Sequence, residues 1–482
     1  MTGLSTLTRL PQSLRDWLDG WGRQLVRGVE DARGQWFREN KMPVEACPHL
    51  APRGGTSLSV GTDCSGADAP IFALRAMNII HRHVFSCDNA AGPQQFIKQN
   101  TPPDGVLFTH MMQRDPSDVP AHHIYVAGFP CKAFSLLNSK SKLLKEPTAR
   151  PFLGVLRTLR ACHPAVAVLE NVIGLKRVLA HVMRRLTAVG PYHVVVLEMD
   201  PRHLGEPVRR PRLYIVMIRR DVAAVSDTQS LDRLAQHIWQ SLACTRTAPV
   251  TSRMLPNDHP VVMASRHTSQ QRGGVAPSRL ATRPPRRWHA HHQDFCKSHG
   301  VPRGEGPEAD VLGLSAPRER EAWTILCRSF PSALLVADLS QCLTRTVCKT
   351  DGAVPTITPG AHLAVRALRR CVLPVEKLLL HAFPLHKLSL GNLSGTALSS
   401  LGGNTMHVQC VGAALAIAVS LTRRDITRPS LSIARPLPQT GRHHHLKRKA
   451  TANHVRRSTT KRHRTTVPVP NTYTRGLSGL FG

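Results

Sequence analysis

Five short stretches put chemically capable side chains at the ends of apolar runs. In VAGFPCK (126–132), Cys131 follows a proline at the end of such a run. A thiol inside a strand is filler, whereas a thiol on the loop just past a strand is placed to act as a nucleophile. In AVAVLEN (165–171), Glu170 follows an apolar run, so its carboxylate is expected to be partly desolvated. Desolvation favours the neutral form, which donates a proton. RRPRLYIV (209–216) sets Arg210 and Arg212 just before another run, and arginine suits bidentate contacts to anions or base edges. GTDCSGADAP (61–70) is a glycine turn in which Gly61 and Gly66 permit close backbone approach to a ligand. About twenty residues later Asp88 ends HVFSCD (83–88), where an acid accepts hydrogen bonds from ribose hydroxyls. These last two features point to a nucleoside-containing cofactor. They equally suit a generic strand–helix turn followed by a surface Asp. A thiol, an acid and an arginine beside such a cofactor fit one reaction class. The thiolate adds to an electron-poor ring, the acid protonates the ring, and the activated carbon attacks a transferable group.

Positioning these residues requires a sheet. SLSVGTD (57–63), HVFSCD (83–88), HIYVAGF (123–129), AVAVLEN (165–171), YHVVVLEM (192–199) and RLYIVMIR (212–219) read as strands alternating with helical patterns. Near-continuous β-branched runs separated by helices predict an α/β fold with a mostly parallel, buried sheet. Ligands of such sheets sit beyond the C-terminal strand ends, where the candidate residues lie. Upstream, Leu14, Trp17, Leu18, Trp21 and Leu25 recur at helical spacing, predicting an amphipathic helix over 13–29 capped by Ser13 and docked on the main domain. Residues 40–56 read as a Pro/Gly-rich connection. The pattern breaks down over 222–335, and 250–310 is rich in Arg, His, Pro, Ser and Gly, as a basic loop region or small domain would be. Order returns from 336 and ends in VGAALAIAVSL (411–421), expected to be a buried helix.

Composition narrows the partners. The formal net charge of +33 calls for a polyanion, because so large a charge otherwise only repels itself. Twelve cysteines without CxxC spacing argue against zinc ribbons, and no metal site is expected. They fit reduced thiols rather than a disulfide framework. No apolar run approaches the ~20 residues that span a bilayer. No signal-peptide h-region is evident at the N-terminus, and Asp16 and Asp19 weaken a transit-peptide reading. The basic tail from 423, with LKRK (446–449), VRR (455–457) and TKRHR (460–464), reads as a nuclear-import or nucleic-acid tail and places the chain in the nucleus.

In order along the chain, five motifs resemble those of the S-adenosylmethionine-dependent cytosine-C5 methyltransferases. They are GFPCKAFS (128–135), LENV (169–172), PVRRPR (207–212), LPVEKLLLHAFP (373–384) and LGGNTM (401–406). The resemblance covers roughly 57–220 and 336–421. It implies a Rossmann-like methyltransferase fold with a smaller inserted target-recognition region. The implied layout is an N-terminal extension (1–56), a first catalytic part (57–221), a variable recognition region (222–335), a second catalytic part (336–422) and a basic tail (423–482). It implies S-adenosylmethionine as cofactor and duplex DNA as partner, with the target cytosine flipped out of the stack. By the same resemblance Cys131 attacks C6 of cytosine, Glu170 holds and protonates N3, and Arg212 with Arg210 positions the base and the loop. The cofactor site maps to Ser65, Gly66, Ala67, Asp88, Asn404 and Thr405, and His110 stands at the position where the family usually has an adenine-binding Asp.

The chain departs from the family at Cys64 (usually aromatic), His110 (Asp), Lys132 (Gln), Val208 (Gln) and Ala382 (Gly). These departures keep two competing readings in view. One is the same chemistry on tRNA, although that branch usually carries Thr where Ser135 stands and a CFT tripeptide that does not occur here. The other is a weakly active nucleic-acid-binding regulator.

Overall fold

A computed structural model describes residues 10–43, 50, 57–134, 146–272, 287–345, 348–423 and 426. Ser135 and the tail beyond 426 lie outside these. Seven strands form the main sheet: β1 (Leu58–Asp63), β2 (His81–Cys87), β3 (Val106–Phe108), β4 (Ile124–Ala127), β5 (Val166–Val172), β6 (Tyr192–Met199) and β7 (Arg212–Arg219). All six strands expected from sequence are present. The added one, β3, spans three residues and is too short to show a period. The sheet order is β3-β2-β1-β4-β5-β7-β6. The first five strands run parallel, while β7 lies antiparallel between β5 and β6. That insertion has a chemical consequence. The N-terminal end of β7 reaches the edge where the parallel strands end, and Arg212 pairs with Val172 at the end of β5. Every residue of β1 is buried, as a strand covered on both faces must be. Gly61 in β1 is obligatory, because a Cβ there would lie 1.9 Å from the Phe85 ring.

Helices cover both faces. The first, α1 (Gln12–Glu39), starts after Pro11 and carries no side-chain cap, so Ser13 lies within the first turn instead of capping it. Proline presets the backbone for helix entry. The helix also runs ten residues past the expected end at 29, because Ala32, Arg33, Trp36 and Phe37 extend its buried stripe. It is followed by α2 (Ala69–Ala76), α3 (Ala91–Asn100), α4 (Pro151–Cys162), α5 (Leu179–Thr187) and α6 (Thr228–Ser241). The stretch 222–335, which shows no sequence pattern, contains α6 and then α7 (Pro260–Arg272), α8 (Arg287–His299), α9 (Glu308–Val311) and α10 (Pro317–Ser329). After α10 comes a second, antiparallel sheet of order β11-β10-β8-β9. Its strands are β8 (Val336–Asp338), β9 (Cys348–Lys349), β10 (Leu363–Val365) and β11 (Arg370–Cys371). Trp323 and Leu326 of α10 share a small core with Leu335, Ala337 and Ala364 of this sheet region.

The chain returns through α11 (Glu376–Leu379) and α12 (Gly395–Asn404) to α13 (Val408–Ser420). α13 is buried over its whole length, as its sequence predicts, and packs on α1, α2, α6, β5 and β7. Each of its Leu, Ile and Val side chains contributes roughly 1.5–3 kcal/mol on burial. The N-terminal helix is tied to the same frame. Trp17 Nε1 donates to Glu206 Oε1 at 2.9 Å, and the Arg33 Nε donates to the Ser420 carbonyl at 2.8 Å. Among the described residues, no helix is long and apolar enough to cross a membrane.

Candidate active site

A cleft of about 1160 Å³ runs along the C-terminal edge of the main sheet. Cys131, Glu170, Arg210 and Arg212 all line it, and so do Gly66, Asp88, His110 and Asn404. These eight candidates therefore meet in one space, although they come from six strand ends and a distant helix.

Cys131 lies just beyond β4, in a turn closed by Phe134 N–H donating to the Cys131 carbonyl at 2.8 Å. The side chain is solvent-exposed because it opens into the cleft. It is nevertheless ringed by protein, and that burial pushes the thiol up, reinforced by the negative charge of Glu170. Arg212 and Arg210 pull it back. Glu170 is nearly buried in β5, and its Oε1 lies 3.1 Å from Arg212 Nε. Instead of an isolated desolvated carboxyl, the structure shows a carboxylate held in place by a guanidinium. Next to it, Asn171 Nδ2 donates to the Phe129 carbonyl at 3.0 Å and anchors the loop that carries Cys131.

Arg210 acts as a strut. It is 5 % exposed and donates to the carbonyls of Ile357 (3.1 Å) and Thr405 (2.7 Å). It thereby ties the strand that carries Arg212 to two return segments. Burial and the neighbouring Arg212 push its guanidinium down to about 10, so it stays charged at neutral pH. Buried His381 and His407 sit close to it. Burial and then Arg210 hold His381 well below its ordinary value, and the same causes push His407 down to about 3.

On the cofactor side, Gly66 has φ +56 and nothing within 4 Å of where a Cβ would sit, so the turn is an open cradle. Its N–H donates to Asp88 Oδ2 at 2.9 Å, and Ala90 N–H donates to Oδ1 at 2.9 Å. Each carboxylate oxygen keeps a lone pair for a ligand hydroxyl. Burial pushes the Asp88 carboxyl up, against those two amides. His110 is exposed in the cleft. Three candidates do not line it. Ser65 is buried, accepts from Cys87 N–H at 3.0 Å and shares a 2.7 Å hydrogen bond with Thr62 Oγ1, so it staples β1 to β2. Ala67 is core, and Thr405 is buried with its carbonyl spent on Arg210.

The departures from the family pattern fall into place. Cys64 lines the cleft at φ +50, with its Sγ 3.6 Å from Met111 Sδ. Lys132 lines the cleft, whereas Val208 is fully buried and bridges Val354. Ala382 sits at φ +62, a conformation that favours glycine. Several contributors carry no sequence signal. Asp63 pairs bidentately with Arg114 (2.7 and 2.6 Å) and accepts from Tyr125 Oη at 2.6 Å, which fixes the segment after β3. Across the cleft, its lining includes Asp338, Gln341, Arg345 and Lys349, beyond the stretch 222–335.

Residues 64–266 match the family of C-5 cytosine-specific DNA methylases. Type II methyltransferase M.NgoBV of Neisseria gonorrhoeae is 26% identical over 214 residues, which cover 42% of this chain and 50% of the relative. The DNA (cytosine-5-)-methyltransferase DMT5 of Verticillium dahliae is 24% identical over 484 aligned residues, covering 78% of this chain and 20% of that protein. The chain thus spans about half the length of the bacterial relative and a fifth of the fungal one. The Dnmt2 methyltransferase structure from S. pombe aligns with TM-score 0.43 and 13% identity over 75% of this chain and 98% of that one, a likeness too loose to argue from. The stretch that matches the C-5 cytosine-specific DNA methylase family runs through Cys131, Glu170 and Arg212.

Proposed function

We propose that the chain is an S-adenosylmethionine-dependent DNA (cytosine-5)-methyltransferase that works on a flipped-out cytosine through a covalent Cys131 adduct. The observation that carries this reading is the meeting of Cys131 with the Glu170–Arg212 pair in the cleft that also holds Gly66 and Asp88. Arg209, Arg212 and Lys132 line the same cleft and suit a polyanion. Duplex DNA is the favoured substrate, and the base must leave the stack to reach Cys131. The nucleus is the favoured compartment, on the basic clusters at 446–464.

In this reading Cys131 Sγ bonds to C6 of the ring, which raises electron density at C5. Glu170, steadied by Arg212, faces N3 and shares a proton with it. Gly66, Asp88, His110 and Asn404 would hold S-adenosylmethionine, which would supply an electrophilic methyl group for C5 and depart as the neutral thioether. Loss of the C5 proton to a base then expels the Cys131 sulfur and frees the enzyme.

The test is a duplex carrying 5-fluorocytosine, incubated with S-adenosylmethionine. Fluorine blocks the final elimination, so a denaturation-resistant adduct should accumulate with the native chain. Cys131→Ala should lose the adduct and at least about a thousandfold of methylation. Bound DNA without an adduct would sink the reading, and an adduct on tRNA alone would replace it with the RNA one.

A further inference from the structure

The cleft that holds Cys131 has a feature that the catalytic chemistry does not use. Asp338, Gln341, Arg345 and Lys349 reach the cleft from the second sheet and its loop. The turn at 338–341 is held with unusual completeness. Asp338 Oδ1 accepts from Ser340 N–H (3.0 Å), Ser340 Oγ (2.7 Å) and His362 N–H (3.0 Å). From α10, the Arg318 guanidinium donates to three successive carbonyls, those of Leu339 (2.7 Å), Ser340 (3.2 Å) and Gln341 (3.1 Å). Glu319, which also pairs with His362 at 2.8 Å, lies 3.4 Å from Arg318. The Asp338 cap alone would close the turn. The three bonds from Arg318 add something else, since they fix the direction in which Gln341 leaves it.

We propose that Gln341 is a specificity-determining residue that reads an adenine edge near the target cytosine, with Arg345 and Lys349 holding the DNA backbone. The proposal rests on the DNA methyltransferase reading and assigns its substrate contacts. The Gln341 Nε2 donates one hydrogen to Ser340 Oγ at 3.2 Å, which leaves its second N–H beside the Oε1 acceptor for a base edge. In the major groove only adenine offers the matching pair, the N6 amino group beside N7. Guanine shows two acceptors, cytosine a donor and thymine an acceptor. Recognition by one amide needs a side chain whose base is immobilised, and the Arg318 clamp provides this. Arg345 and Lys349 carry charge without a planar acceptor, which suits phosphate contacts that position the duplex without reading it. Arg318 itself touches no substrate and is a positioning residue.

The experiment methylates a random-context duplex library with the full-length chain and sequences the methylated cytosines. The native protein should favour adenine at one flanking position. Gln341→Ala should lose at least about tenfold of that preference and leave the other positions as they were. Replacing that adenine with 7-deazaadenine, which lacks the N7 acceptor, should cost the native protein a similar factor. Arg318→Ala should flatten the same position, with Arg318→Lys partly restoring it, an outcome that a merely structural role would not produce. Arg345→Ala and Lys349→Ala should weaken binding to every sequence and each reduce the salt slope by about one. Thermal melts identify any variant that fails to fold, and the 7-deazaadenine arm needs no variant. A Gln341→Ala profile identical to the native one, or a native profile indifferent to adenine and 7-deazaadenine, overturns the proposal. A native chain that forms neither 5-methylcytosine nor a Cys131 adduct overturns the methyltransferase reading and the proposal with it.

Discussion

At Cys131, burial and Glu170 raise the thiol, and two arginines oppose them. The balance leaves it above its ordinary value, so little thiolate exists at neutral pH in the free protein. Below such a value the thiolate fraction grows about tenfold per pH unit. Alkylation of the Cys131 peptide, followed by mass spectrometry, should therefore keep rising from pH 7 through pH 9. Glu170→Gln removes the negative neighbour and frees Arg212 to act on the thiol, so the curve should move to lower pH. A plateau by pH 8 in the native chain would contradict this account. The two arginines thereby offset part of what desolvation costs the Cys131 thiolate.

At the scale of elements, the segment from α11 to α13 contains a local conflict. Ala382 is held at φ +62 and is buried, with its N–H donating to the Leu379 carbonyl at 2.8 Å. An L residue in that region is strained by about 1–2 kcal/mol, and glycine is not, though glycine also gives the unfolded chain more freedom. Ala382→Gly should raise stability by about 0.5–1 kcal/mol, read as a higher urea midpoint at unchanged slope. A lower midpoint would show that the Ala382 methyl is worth more to the core than the strain costs. α1 supplies the opposite case, an element whose parts agree. Its stripe of Leu14, Leu18, Trp21, Leu25 and Val29 is buried, and the spacing of its first members was readable from sequence. Its length was not, because Arg33 breaks the apolar pattern and is buried through its bond to Ser420.

At the scale of the molecule, the net charge of +33 is a statement about partners. If six or more phosphates are neutralised, affinity for any duplex should fall on the order of a thousandfold between about 50 and 200 mM salt. Removing residues 427–482, with their three basic clusters, should make the slope of log affinity against log salt shallower. Binding that barely changes with salt would remove the electrostatic argument for a nucleic-acid partner.

Local pattern was sufficient for what sequence by itself determined. Six strands were legible because a doubly covered strand is a continuous apolar run. Cys131, Glu170 and Asp88 were legible because each interrupts or follows such a run at the edge where ligands bind. Tertiary structure decided whatever depends on distant pairing. The antiparallel insertion of β7, which no periodicity encodes, sets Arg212 against Glu170. Burial turned Ser65, Ala67 and Thr405 inward and made Arg210 a strut, because main-chain carbonyls from residues 357 and 405 converge on it. The wall that bears Gln341 was equally hidden. Its rigidity comes from one guanidinium on α10 reaching three carbonyls more than twenty residues later, a geometry that exists only once both elements are packed.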